Sequence, residues 1–321
     1  MSSRPECLPA LRTLATTCGG IKPGDRCLIV TDAGADQAIV QASEAVLTTL
    51  GGHVVVVRSD PAELPGDDPP PSVGAAMLEA DLILELTSVF IGSGAARRTA
   101  CERGARYLTV PGLSWTTLRP DGPFSADFHA LGEHAKRLAE RFDAAGEFRL
   151  TSDTGTDLAG SFEGRRGRPL WGVADKPGGY ASPPDIEVGA SPVEGTAEGV
   201  VVVDGSLLFL GPDQLAAPVR LRFAAGHLVA VDGPDAWRLT DALERSGDER
   251  MSLLAEVSIG LNPFSRPGGS ALELEGSVGG AHVAVGNNVP DGGSNDARSH
   301  IDCVLLRATL ALDGEPLSPT P

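Results

Sequence analysis

Arg26-Cys27-Leu28-Ile29-Val30-Thr31 is an apolar run that follows the turn signal Gly24-Asp25. It is too short for a buried helix and the right length for a strand covered on both faces. Residues 36–50 then repeat apolar side chains at helical spacing up to Gly51-Gly52, a pair suited to a helix C-cap. His53-Val54-Val55-Val56-Val57-Arg58 supplies a second β-branched run. Strand, helix and strand in this order make a right-handed crossover between parallel strands. The alternation continues with a helix over 73–79, a strand over 81–86, a helix over 95–104 and a strand over 105–110 that stops at Pro111-Gly112. A longer helix over 125–145 carries Leu131, Leu138 and Phe142 at helical spacing. The fold class expected is α/β, with residues 1–145 forming an open parallel sheet flanked by helices.

Beyond residue 146 the pattern changes. Short β-rich segments lie at 147–151, 200–204, 207–210, 219–223, 227–231 and 271–275, with turn signals at Asp204-Gly205 and Ala225-Gly226 and one helix over 237–245. Residues 146–321 are therefore expected to form a β-rich α+β domain.

A formal charge of −17 repels phosphate backbones and anionic lipid, and Arg165, Arg166 and Arg168 form the one local basic group. Nucleic acid and membrane are not expected as partners. A signal peptide and a run of about 18 apolar residues are both lacking, so a cytoplasmic location is expected. The five cysteines are scattered and never fall in a CxxC pair, which predicts buried reduced thiols. The glycines of Thr31-Asp32-Ala33-Gly34 and Ile91-Gly92-Ser93-Gly94 match neither GxGxxG nor GxxxxGK, so no nucleotide-binding residues are assigned. His129 and His134 stand five apart, off a common helical face, and read as surface residues.

The chemistry gathers near the C-terminus. His300-Ile301-Asp302 opens a strand-like run, and alternation puts His300 and Asp302 on one face, where both can reach one ion. His282 lies on another strand-like stretch, 281–286, and the polar loop Asp291-Gly292-Gly293-Ser294-Asn295-Asp296 joins the two segments. Two imidazoles and a carboxylate suit a non-haem Fe(II) triad and equally a three-ligand zinc site with an open position. Glu256 interrupts the apolar run 253–260, where an unpaired carboxylate is costly, so a cation is expected beside it. Glu187, in a proline-framed loop, is a further oxygen ligand or a base.

Taken together, Gly155-Thr156-Asp157, Glu187-Val188 with Pro192, Ala255-Glu256 with Ile259-Gly260 and Asn262, His282 with Ala284 and Gly286, and His300 with Asp302 and Asp313-Gly314 resemble the aminopeptidase T family of metallopeptidases over about residues 145–316. The resemblance implies an α/β N-terminal domain, a β-rich metal-binding C-terminal domain, and a homodimer. It implies that Glu187, Glu256, His282, His300 and Asp302 bind a pair of divalent ions. Where the peptidases carry a tyrosine about seven residues after the first histidine, this chain has Val289. A shorter branch of the superfamily, the 2,5-dihydroxypyridine 5,6-dioxygenases, holds one Fe(II) in a two-His, one-Asp site, and this chain is closer to it in length.

Two activities follow. The first is a metallohydrolase using zinc, cobalt or manganese, in which a metal-activated water attacks an amide or peptide-like bond of a small substrate or short peptide and Glu187 or Glu256 moves the proton. The second is an Fe(II) ring-cleaving dioxygenase built on His282, His300 and Asp302. The sequence places hydrolysis first, because that reading employs all five residues. Access is expected between the domains, with the loops 60–72 and 164–185 lining it and the arginines of the second drawing in an anionic substrate.

Overall fold

The computed structural model describes residues 4–211, 214–266 and 269–320. Two compact units emerge: residues up to 129 with 171–184, and residues 130–170 with 185 onward.

The first unit is an open sheet of five parallel strands. Their order is His53–Ser59, Arg26–Asp32, Leu82–Leu86, Arg106–Thr109 and Tyr180–Ala181. Leu82–Leu86, apolar except for Glu85, is buried throughout, as its position inside the sheet requires, whereas the edge strand His53–Ser59 leaves Val55 and Val56 exposed. Successive residues serve opposite faces. Leu28, Val30, Ile83 and Tyr107 pack with Val73, Met77 and Ala100 on one side, and Leu82, Leu84 and Leu108 meet Leu11, Leu14 and Leu47 on the other. The helix Gln37–Thr49 begins where Asp36 caps it by accepting from the Ala38 backbone N–H. All five cysteines are buried and free.

The second unit holds two sheets. Seven strands run in the order His227–Asp232, Val219–Ala224, Glu198–Val203, Asp157–Ser161, Glu147–Thr151, Thr309–Leu312 and Glu315–Pro316. Six more run in the order Ser206–Leu207, His300–Leu305, Ala281–Gly286, Leu254–Gly260, Glu187–Ala190 and Arg168–Leu170. Every named strand pair in this unit is antiparallel. Together the two units make the α/β plus β-rich α+β class that the sequence implies. Among the described residues no helix is long and apolar enough to cross a membrane.

Several local expectations need correction. Ala271–Glu275 is a short helix, not a strand: Ala-Leu-Glu-Leu-Glu alternates like a strand, but these are strong helix formers, and all five are buried. The strand expected over 207–210 shrinks to Ser206–Leu207. His134 is buried at 7% exposure against the backbone near Pro319, while His129 is exposed.

Candidate metal centre

The six-stranded sheet builds the site by register. Glu256 stands opposite Ala284, and Ala284 opposite Asp302. Ser258 is flanked by His282 and Gly189, and Gly260 faces Glu187. Gly286 pairs with His300, and Arg168 with Gly189. Cross-strand partners share a face, and so do residues two apart. Arg168, Glu187, Glu256, His282, His300 and Asp302 therefore project from one side of one sheet, with the small side chains of Gly189, Ser258 and Ala284 between them. Glu187 belongs to the strand Glu187–Ala190, not to a loop.

The side chains converge as two groups. Glu256, His300 and Asp302 offer ligand atoms within 4.8 Å of one another, and so do Glu187, Glu275 and His282. His300 Nε2 lies 3.1 Å from Asp302 Oδ1 and 3.3 Å from Glu256 Oε2. His282 Nε2 lies 3.2 Å from Glu187 Oε2 and 3.8 Å from both Glu256 Oε1 and Glu275 Oε1. Glu256 thus turns one oxygen toward each histidine. Ser258 Oγ donates to Glu256 Oε1 at 2.5 Å and fixes that orientation. His300 Nδ1 donates to the Asn287 carbonyl at 2.7 Å, which aims Nε2 into the site.

Sequence reasoning missed Glu275, because the strand assigned to 271–275 hid the turn of helix that carries it to His282. It also missed Asp185 and Asp291. Arg168, read as an attractant for substrate, ion-pairs with Asp291 and sits 3.6 Å from Glu187 Oε1 and 3.9 Å from Glu256 Oε1. Arg165 pairs with Glu194 and donates to the Gly292 carbonyl, and Arg166 is exposed, so the three arginines do not act as one patch.

Charge explains the protonation pattern. Burial raises Glu187 to about 7, against the pull of His282, and raises Asp291 to about 6. Burial also lifts Asp185 and Glu275 well above the carboxylate range. For Glu256 burial is outweighed by Arg168 and by hydrogen bonds from both histidines, which hold it well below that range. Burial would lower His282, but Glu187 and Glu256 raise it to about 10, and Asp302 and Glu256 likewise raise His300.

Such a crowd of buried acids is costly without a cation. Among the described residues, His282 Nδ1 is buried with no hydrogen-bond partner, and both groups combine imidazole with carboxylate, a donor set suited to iron, zinc or manganese. The residues present fit a divalent metal.

A family model described as NicX: 2,5-dihydroxypyridine 5,6-dioxygenase matches residues 8–319. Among solved structures, 2,5-dihydroxypyridine dioxygenase from Pseudomonas putida KT2440 is similar at 16% identity and a TM-score of 0.78, over 99% of this chain and 96% of that one. Wild-type AmpT from Thermus thermophilus is similar at 18% identity and a TM-score of 0.68, over 97% of this chain and 95% of that one. No curated protein matches the sequence.

Proposed function

The chain belongs to the 2,5-dihydroxypyridine 5,6-dioxygenase family, within the aminopeptidase T-like superfamily, and we propose that it is a metal-dependent dioxygenase that opens a hydroxylated pyridine-like ring with O2. The observation that carries this reading is the family match over residues 8–319. Hydrolysis, placed first by the sequence alone, becomes the second reading. Val289 also weighs against it, for that exposed side chain offers no hydroxyl where the peptidases have a tyrosine.

The ion would be held by Glu256, His300 and Asp302, with His282 beside Glu256. Fe(II), when bound, supplies the one-electron chemistry with O2 that carboxylates and imidazoles lack. The protein's own groups divide the remaining work. Glu256, kept ionised, serves as a ligand held in place by Ser258. Glu187, shifted to about 7, is matched to accepting the proton of a ring hydroxyl near neutral pH. Asn287 holds His300 in the tautomer that presents Nε2.

One observation favours the second reading. Glu256 directs Oε1 toward His282 and Oε2 toward His300, the orientation of a carboxylate able to bridge two ions. Metal analysis and O2 uptake separate the two. The dioxygenase reading expects near one iron per chain and consumption of O2 matched to loss of the ring absorbance of a dihydroxypyridine. Two equivalents of zinc, cobalt or manganese, with release of an amine from an aminoacyl anilide and no O2 uptake, would overturn it.

A further inference from the structure

In the second unit a cavity of about 500 Å3 opens beside the link 306–308, by which the chain passes from the six-stranded to the seven-stranded sheet. None of its lining residues belongs to the candidate metal centre. Its volume falls within the range of about 300–1,000 Å3 typical of small-molecule sites. Leu274, Val278 and Leu306 give it an apolar wall. Arg307 and Asp153 also line it, both exposed, and among the described residues neither side chain makes a hydrogen bond or an ion pair. Ser265 in the same lining is buried, and its Oγ has no hydrogen-bond partner among the described residues.

Both charged residues ride on backbone that is anchored nearby. The Leu306 N–H donates to Asp204 Oδ1 at 2.8 Å and the Ala308 N–H to the Gly279 carbonyl at 3.1 Å, so Arg307 is held from either side. The turn that carries Asp153 is closed by the Thr156 N–H donating to Ser152 Oγ at 3.1 Å and the Gly155 N–H to the Ser152 carbonyl at 3.1 Å. Opposite charges that border one cavity without pairing with each other select an occupant by charge. A plain carboxylate gains from Arg307 but is opposed by Asp153 and by the net charge of −17. A plain amine gains from Asp153 but is opposed by Arg307. A molecule that carries both charges satisfies both residues, and the apolar wall takes a short aliphatic group. We propose that this cavity is a second binding site, for a small zwitterion of the amino-acid class with an aliphatic side chain, its carboxylate toward Arg307 and its ammonium toward Asp153. The site does not depend on which reaction the metal centre runs.

Calorimetric titration of the metal-free full-length protein with L-leucine tests it, beside two analogues that each lack one charge, 4-methylpentanoate and 3-methylbutylamine. One leucine is expected per chain, bound at least about tenfold more tightly than either analogue. Arg307→Gln and Asp153→Asn change exposed side chains, so both variants should fold and melt as wild type does. Each should weaken leucine by about tenfold or more. Absence of binding up to about 10 mM leucine overturns the proposal, as does a leucine affinity unchanged in either variant. Equal binding of leucine and one of the analogues overturns it too, because the pocket would then read a single charge.

Discussion

At Gly189 an added Cβ would stand 1.6 Å from Ser258 Oγ. That hydroxyl is the donor orienting Glu256, so the missing side chain is what allows a serine and a buried carboxylate to coexist on one face. Gly189→Ala should lower stability by about 2 kcal/mol or more through overpacking and should weaken metal binding by moving Ser258. Thermal melts and Mn2+ titration check this, and a variant with wild-type values for both would show that the contact is dispensable. Ligation itself is tested at His300 and Asp302. If both are ligands, His300→Ala and Asp302→Ala each lose metal through dialysis that wild type survives, with circular dichroism unchanged. Full metal retention in either variant would remove that residue from the set.

Among the elements, legibility followed length and periodicity. The parallel strands were readable because Arg26–Asp32 and Leu82–Leu86 are short, mostly apolar runs, Cys27 to Val30 and Leu82 to Leu84 without a break, between helices of helical period. His300 and Asp302 were readable because a spacing of two on a strand makes a shared face. What escaped has physical causes. Tyr180–Ala181 joins the parallel sheet with only two residues, too few for any pattern, after a long excursion of the chain. Ala271–Glu275 shows alternation but forms one turn of helix, since burial on all sides removes the distinction that alternation relies on. Its misreading hid Glu275, whose carboxyl lies 3.8 Å from His282. Glu275→Gln keeps the volume and removes the acid, so the fold should persist. Metal affinity should fall by about tenfold if Glu275 supports His282 from behind and by far more if it ligates directly. An affinity equal to wild type would leave it a bystander.

For the molecule as a whole, the site ties stability to pH. In the metal-free chain His282 titrates at about 10 instead of 6.5, because Glu187 and Glu256 outweigh burial. A raised folded-state value means that this pairing contributes in full below about 6.5 and is lost as pH rises through about 10. Burial lifts Glu187 from 4.5 to about 7, so ionising it erodes stability over that lower range, in the same direction. The metal-free protein therefore loses stability at its site as pH climbs. A bound divalent ion reverses the trend, because ligation needs neutral imidazoles and ionised carboxylates, the forms that higher pH supplies. Metal displaces protons, and its affinity rises as protons grow scarce. The gap in Tm between Mn2+-loaded and metal-free protein should accordingly widen by about 5 °C or more between about pH 5.5 and about pH 8.5. Scanning calorimetry on matched samples reads this directly. A gap that stays constant or narrows would mean that the ion does not compete with the protons of His282 and Glu187, and hence that it binds elsewhere.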